Sequence, residues 1–139
     1  MARTSHHIDV PHTPEHVWRL IGGFGSLPDW LPYIPGSTLG EGGRVRTLTN
    51  ADGDTIVERL TAFDEAARTY TYTILQAPFP VTDYLSTLTV HPLPEAGTAR
   101  VEWSGTFTPA DATDEEAVAL FHGIYTEGLA ALERTLRGA

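Results

Sequence analysis

Arg46 and Glu58 stand opposite one another on the two arms of a single hairpin in the sequence. The turn Asn50-Ala51-Asp52-Gly53 separates two strand-like runs, residues 44–49 and 55–63. Centring that turn near Asp52 sets Arg46 against Glu58, Leu48 against Ile56 and Arg44 against Leu60. Alternation then places Arg46 and Glu58 on the face they share with Leu48, Ile56 and Leu60, which reads as the concave, apolar side. There a carboxylate can work as general acid or base while a guanidinium stabilises a developing enolate or carboxylate. The same pair can instead be an ion pair that satisfies itself and fixes register. A neighbouring Arg also lowers a carboxylate's pKa and so weakens it as a base.

Tyr72, Tyr84 and Trp103 alternate in phase with Ile74, Ser86, Leu88 and Val101, so these residues share the inward face of three further strands. Tyr125 projects toward them from a helix. Phenol hydroxyls so placed can donate to a carbonyl, and the rings can wall an aromatic guest. Each alone reads first as a core aromatic whose hydroxyl reaches the surface; the four together point to a pocket. His6 shares a face with Ile8 and Val10 and titrates near neutrality, either as a catalyst or as a satisfied core group. His122 falls at the edge of the helix stripe, and Asp83 points outward if Tyr84 points in. No His and carboxylate spacing of the HExxH kind occurs, so no metal site is expected. There is no GxSxG. Gly40, Gly42 and Gly43 precede a strand rather than a helix, which makes them a turn and not a phosphate loop.

The elements that must hold these groups follow from periodicity and caps. Residues 4–10 read as a strand, ended by Pro11. Thr13-Pro14 starts a helix as N-cap and first helical residue, and Gly22-Gly23 stops it. Residues 24–31 read as a second, short helix punctuated by Pro28 and Pro32. Strand-like runs then cover 36–39, 44–49, 55–63, 69–76, 82–90 and 100–108, separated by turn-forming residues. The last helix is expected over Asp114–Arg137, about 36 Å at ~1.5 Å per residue. Thr113 to Glu116 fits a capping box, and Arg134 and Arg137 suit the C-terminal end of the macrodipole. Its apolar stripe holds Ala117, Phe121, Tyr125, Gly128, Leu132 and Leu136. Glycine at 128 costs roughly 1 kcal/mol against alanine and leaves room, for a close crossing or for a guest between helix and sheet. The order strand, two short helices, six strands and long helix predicts an α+β fold: a seven-stranded antiparallel curved sheet wrapped around one long C-terminal helix.

Composition narrows the chemistry. The 139 residues read as one domain, 1–139, with 41% hydrophobic residues and no transmembrane run. The polar, His-rich N-terminus is no secretory signal, so a cytoplasmic protein is expected. There is no Cys, and the nine basic residues are all Arg. Disulfides, thiolate ligands, cysteine nucleophiles and lysine Schiff bases are therefore excluded. A net charge of −9 without a basic stripe disfavours nucleic acid and anionic membranes. The expected partner is a hydrophobic or aromatic small molecule, with no membrane insertion and no cofactor, on a monomer or homodimer.

Val17-Trp18, Phe24 through Trp30-Leu31-Pro32, Gly43-Arg44-Val45-Arg46, Glu58-Arg59-Leu60 with Asp64, Tyr70-Thr71-Tyr72 and Trp103, in this element order, resemble the START-related helix-grip superfamily. Within it, the polyketide cyclase/dehydrase-like branch is the most similar. The resemblance spans essentially the whole chain. It implies a helix-grip fold with a ligand between sheet and C-terminal helix. It also implies either a cyclase/dehydratase-type enzyme, assisting cyclisation, dehydration or a related proton transfer, or a non-catalytic carrier, sensor or sequestering protein. In the enzyme reading Glu58 exchanges the proton, Arg46 stabilises the anion, and Tyr72 or Tyr84 donates hydrogen bonds. In such a fold Trp30, Leu31 and Tyr33, with Pro78-Phe79-Pro80, border the cavity mouth; they are either a gate or a surface loop with hydrophobic anchors. Fold alone does not choose between these functions.

Overall fold

A computed structural model describes residues 1–138. Along the chain it contains β1 (Ala2–Val10), α1 (Pro14–Ile21), β2 (Gly36–Gly40), β3 (Val45–Thr49), β4 (Thr55–Asp64), β5 (Thr69–Gln76), β6 (Val81–Pro92), β7 (Ala99–Pro109) and α2 (Asp114–Arg137). The strands form one antiparallel sheet in the order β1-β7-β6-β5-β4-β3-β2. Sequential hairpins account for every neighbour except β1 beside β7. This is the helix-grip arrangement, with α2 laid along β1 and β7.

The expected second helix over residues 24–31 is only a 3₁₀ turn, Leu27–Asp29. Prolines bound the turn: Pro28 sits in its first positions, where a missing amide is tolerated, and Pro32 disfavours continuing the helix through Leu31. By contrast α1 and α2 keep their expected bounds because side chains satisfy their first amides. Thr13 Oγ1 accepts from the His16 amide at 3.1 Å. In α2 both halves of the capping box are made: Glu116 N donates to Thr113 Oγ1 at 3.0 Å, and Thr113 N donates to Glu116 Oε1 at 2.8 Å.

The β3–β4 hairpin fixes the register on which the site depends. Asn50 Oδ1 accepts from the amides of Asp52 and Asp54 at 3.0 and 2.8 Å, so one side chain pins the turn. Arg46 then pairs with Glu58 and Leu48 with Ile56. Opposite Glu58, β5 carries an extra residue, Leu75, between the partners Ile74 and Gln76. This bulge bends β5 beside the pair. A second bulge places Asp83 at φ 54°, a left-handed conformation Asp tolerates, and delivers Tyr84 inward.

The underside of α2 is Ala117, Phe121, Tyr125, Gly128, Leu129, Leu132 and Leu136, all buried. A Cβ placed on Gly128 would lie 2.6 Å from the Trp103 indole, 2.7 Å from Tyr33 Oη and 3.1 Å from a Leu31 methyl. The space left by the missing side chain is therefore filled. Gly128 serves a close crossing, and the expectation that it opens onto a guest is corrected.

Candidate functional site

A cavity of about 190 Å³ nevertheless lies between α2 and the sheet, on the β3–β5 side of that crossing. Arg46 and Leu48 from β3, Ile56 and Glu58 from β4, and Tyr72 and Ile74 from β5 form one wall. Tyr84, Trp103, Phe121 and Ile124 close it from β6, β7 and α2, while Leu27, Leu31, Tyr33 and Ile34 close it from the segment before β2. Phe79 and Asn50 complete the lining. Tyr33, Asn50, Ile74, Phe79 and Ile124 are only half-buried, so they form the rim. The walls are predominantly apolar, and charge is confined to Arg46 and Glu58.

Those two residues are almost wholly buried, at 1% and 6% exposure. Arg46 Nε donates to Glu58 Oε1 at 2.7 Å. Its Nη1 donates to the Phe24 carbonyl at 3.1 Å and to Tyr70 Oη at 3.4 Å. The guanidinium carbon lies 4.1 Å from the Phe24 ring centre and 4.7 Å from that of Tyr72, a favourable stacking for a delocalised cation. Arg46 is thus clamped, whereas Glu58 Oε2 has no hydrogen-bond partner among the described residues. Burial pushes the Glu58 carboxyl above its ordinary pKa, and Arg46 opposes that rise without cancelling it. Arg46 lowers the Glu58 pKa as expected, but desolvation is the larger effect and the net direction is upward.

At and just behind the cavity wall, hydroxyls and an indole satisfy one another. Trp103 Nε1 donates to Ser86 Oγ at 3.0 Å and to Tyr72 Oη at 3.1 Å, and Ser86 Oγ donates to the Ser104 carbonyl at 2.8 Å. The hydroxyls of Tyr84 and Tyr125 bond each other. Burial raises the pKa of Tyr72 and Tyr84 and pushes Tyr125 up to about 12, so all three remain neutral phenols.

Twelve expected residues line the cavity: Leu31, Tyr33, Arg46, Leu48, Ile56, Glu58, Tyr72, Ile74, Phe79, Tyr84, Trp103 and Phe121. Six do not. Ser86 and Tyr125 belong to the hydroxyl network behind the wall, and Gly128 is covered by Trp103. Trp30 is a buried anchor with its ring centre 6.0 Å from that of Trp103 and lies outside the cavity. Leu60 lies one turn of alternation beyond Glu58, outside the lining. His6 packs edge-on to His122 in the β1–α2 seam, ring centres 5.6 Å apart. Leu27, Ile34, Asn50 and Ile124 were not foreseen as lining residues, though the last two each had a signal. Asn50 continues the alternation of Arg46 and Leu48, and Ile124 sits one helical step from Phe121. Among the described residues no three His, Asp or Glu side chains converge as metal ligands. No helix there is long and apolar enough to cross a membrane.

The sheet and its covering helix make the fold that a START superfamily protein from Mycobacterium smegmatis shares at 16% identity, TM-score 0.79, over 100% of both chains. The chain belongs to the polyketide cyclase/dehydrase and lipid transport family, whose model matches residues 1–137. Membership carries a general role in binding hydrophobic small molecules. The solved protein XoxI from Bacillus cereus is 61% identical, with a TM-score of 0.94 over 96% of this chain and 94% of that one. An uncharacterised Bacillus thuringiensis protein is 59% identical, with a TM-score of 0.94 over 96% and 97% of the two chains. The di-domain ARO/CYC BexL from the BE-7585A biosynthetic pathway shares the fold at 20% identity, TM-score 0.81, over 99% of this chain and 47% of that one. No curated protein matches this chain.

Proposed function

We propose that this protein is a cofactor-independent enzyme of cyclase or dehydratase type, moving a proton on an apolar or aromatic molecule held in the cavity. One observation carries the reading: Glu58 is buried with its pKa raised, one oxygen held by Arg46 and the other unpartnered in a cavity-lining position. A raised pKa makes the carboxylate the stronger base, which suits it to general acid–base work. As carboxylate it takes a proton from a carbon beside a substrate carbonyl, and the electron pair moves onto the carbonyl oxygen as an enolate. Arg46, fixed by Glu58, Phe24 and Tyr70, stabilises that charge without reorganising. Tyr72 is the better neutral donor, since the Tyr84 hydroxyl is engaged by Tyr125. In a dehydration the proton on Glu58 passes to the departing hydroxyl, which leaves as water.

A carrier is the second reading, favoured by the protein groups that already hold three of Arg46's contacts. One experiment separates the two. Native mass spectrometry of protein purified from its source identifies the co-purifying molecule, which is then given to wild type and Glu58→Gln. The enzyme reading expects binding within a few-fold and turnover down by about 10²–10⁴. Equal binding by the two proteins with turnover by neither supports the carrier.

A further inference from the structure

Resting on the cavity of the proposed function as the binding site, we infer that it selects ligands of a single substituted aromatic ring bearing a hydroxyl or carbonyl oxygen. The limit is set by the close crossing of α2 over Trp103 and Tyr33. A dry cavity of about 150 Å³ accommodates benzene, whereas sites for drug-sized molecules span about 300–1,000 Å³. At about 190 Å³ this cavity has room for one ring and small substituents.

Its boundary resists expansion on two sides. At the crossing, Gly128 already sits within a methyl group's reach of Trp103 and Tyr33, so α2 approaches the sheet as closely as it can. Tyr33 Oη donates to the Ile124 carbonyl at 3.0 Å and ties the segment before β2 to α2. Toward β6, Phe121 lies between Tyr84 at 4.8 Å and Phe79 at 5.4 Å, ring centre to ring centre, with Phe107 at 4.7 Å behind. At the crossing, enlarging the space requires the helix or the segment before β2 to lift. The polar end supplies the orientation: Arg46, Glu58 and the Tyr72 hydroxyl meet an oxygen substituent, and the remaining walls meet the ring.

The test is a fluorescence titration of the intact protein with 4-ethylphenol, 2-naphthol and 2-anthrol, which share a hydroxyl and add rings. The expected result is measurable binding of 4-ethylphenol, with 2-anthrol weaker by at least about tenfold despite its larger apolar area. An anthrol that binds as well as or better than 4-ethylphenol overturns the size limit, as does absent 4-ethylphenol binding up to its solubility. Tyr33→Phe removes only the tie to Ile124; it is expected to narrow the ratio of the two dissociation constants. An unchanged ratio overturns the role of the crossing. Tight anthrol binding together with lost turnover in Glu58→Gln would sink the size limit and leave the proton-transfer reading standing; the opposite pair of results would do the reverse.

Discussion

Gly128 in the middle of α2 rests against the indole of Trp103 on β7, at a distance that leaves no room for a methyl group. Helix propensity favours alanine at such a position by about 1 kcal/mol, but overpacking costs about 1–3 kcal/mol. Gly128→Ala is therefore expected to lower stability. Gly123, exposed on the same helix with nothing within 4 Å of its Cβ position, provides the opposite case. There alanine should gain about 0.5–1 kcal/mol. Urea unfolding of both variants checks the pair; equal signs would show that the crossing is not tight.

The Arg46–Glu58 pair gives a second prediction. Arg46→Met leaves Glu58 buried without its only hydrogen-bonding partner, and breaking a buried pair costs about 3–5 kcal/mol. Replacing both, as Arg46→Met with Glu58→Leu, should recover most of that loss, because the penalty lies in the stranded charge. Chemical denaturation of the two singles and the double measures it. A double variant as unstable as Arg46→Met alone would mean that Arg46 acts chiefly through its stacking on Phe24 and Tyr72.

These two residues also show what a sequence can and cannot reveal. The Arg46–Glu58 register was legible because turn residues between alternating runs define a hairpin centre, and Asn50 pins that centre with its own side chain. Gly128 was legible only as missing volume. Periodicity tells which way a helical residue faces but not how near the opposing layer comes, so the glycine was compatible with a hollow and with a contact. Tyr125 and Ser86 faced inward as expected, yet the network with Tyr84 and Trp103 absorbed them. Such hydroxyl pairing depends on strand offsets of an ångström, which no spacing rule contains. The short helix at 24–31 shrank to one 3₁₀ turn for a local reason, since Pro32 disfavours continuing it through Leu31.

The Tyr84–Tyr125 hydroxyl bond yields a third prediction. Both phenols are buried, so Tyr125→Phe leaves Tyr84 Oη short of a partner and should cost about 1–3 kcal/mol. Tyr84→Phe leaves Tyr125 its long 3.4 Å contact to Ser86 Oγ and should cost less. The double variant removes both groups and should fall short of the sum of the singles, which a double-mutant cycle in urea reads directly. Strict additivity would show that the two hydroxyls do not support each other.

The β1–α2 seam makes stability depend on pH in a definite direction. His6 of β1 faces His122 of α2, and His122 Nδ1 lies 3.2 Å from Thr4 Oγ1. Partial burial first, then repulsion from His122 and from the neighbouring His7, hold the His6 pKa below its ordinary value near 6.5. With the folded pKa depressed, the unfolded chain binds more protons at His6 once pH drops below about 6.5, so the His6 contribution to folding stability falls with acidification there. The contribution is complete above the unfolded pKa and is lost on descending to the folded one. His6→Gln should flatten this limb of the stability curve, measured as urea midpoints between pH 7.5 and pH 5. An unchanged slope in the variant would assign the acid sensitivity to other groups and leave the facing imidazoles without a part in it.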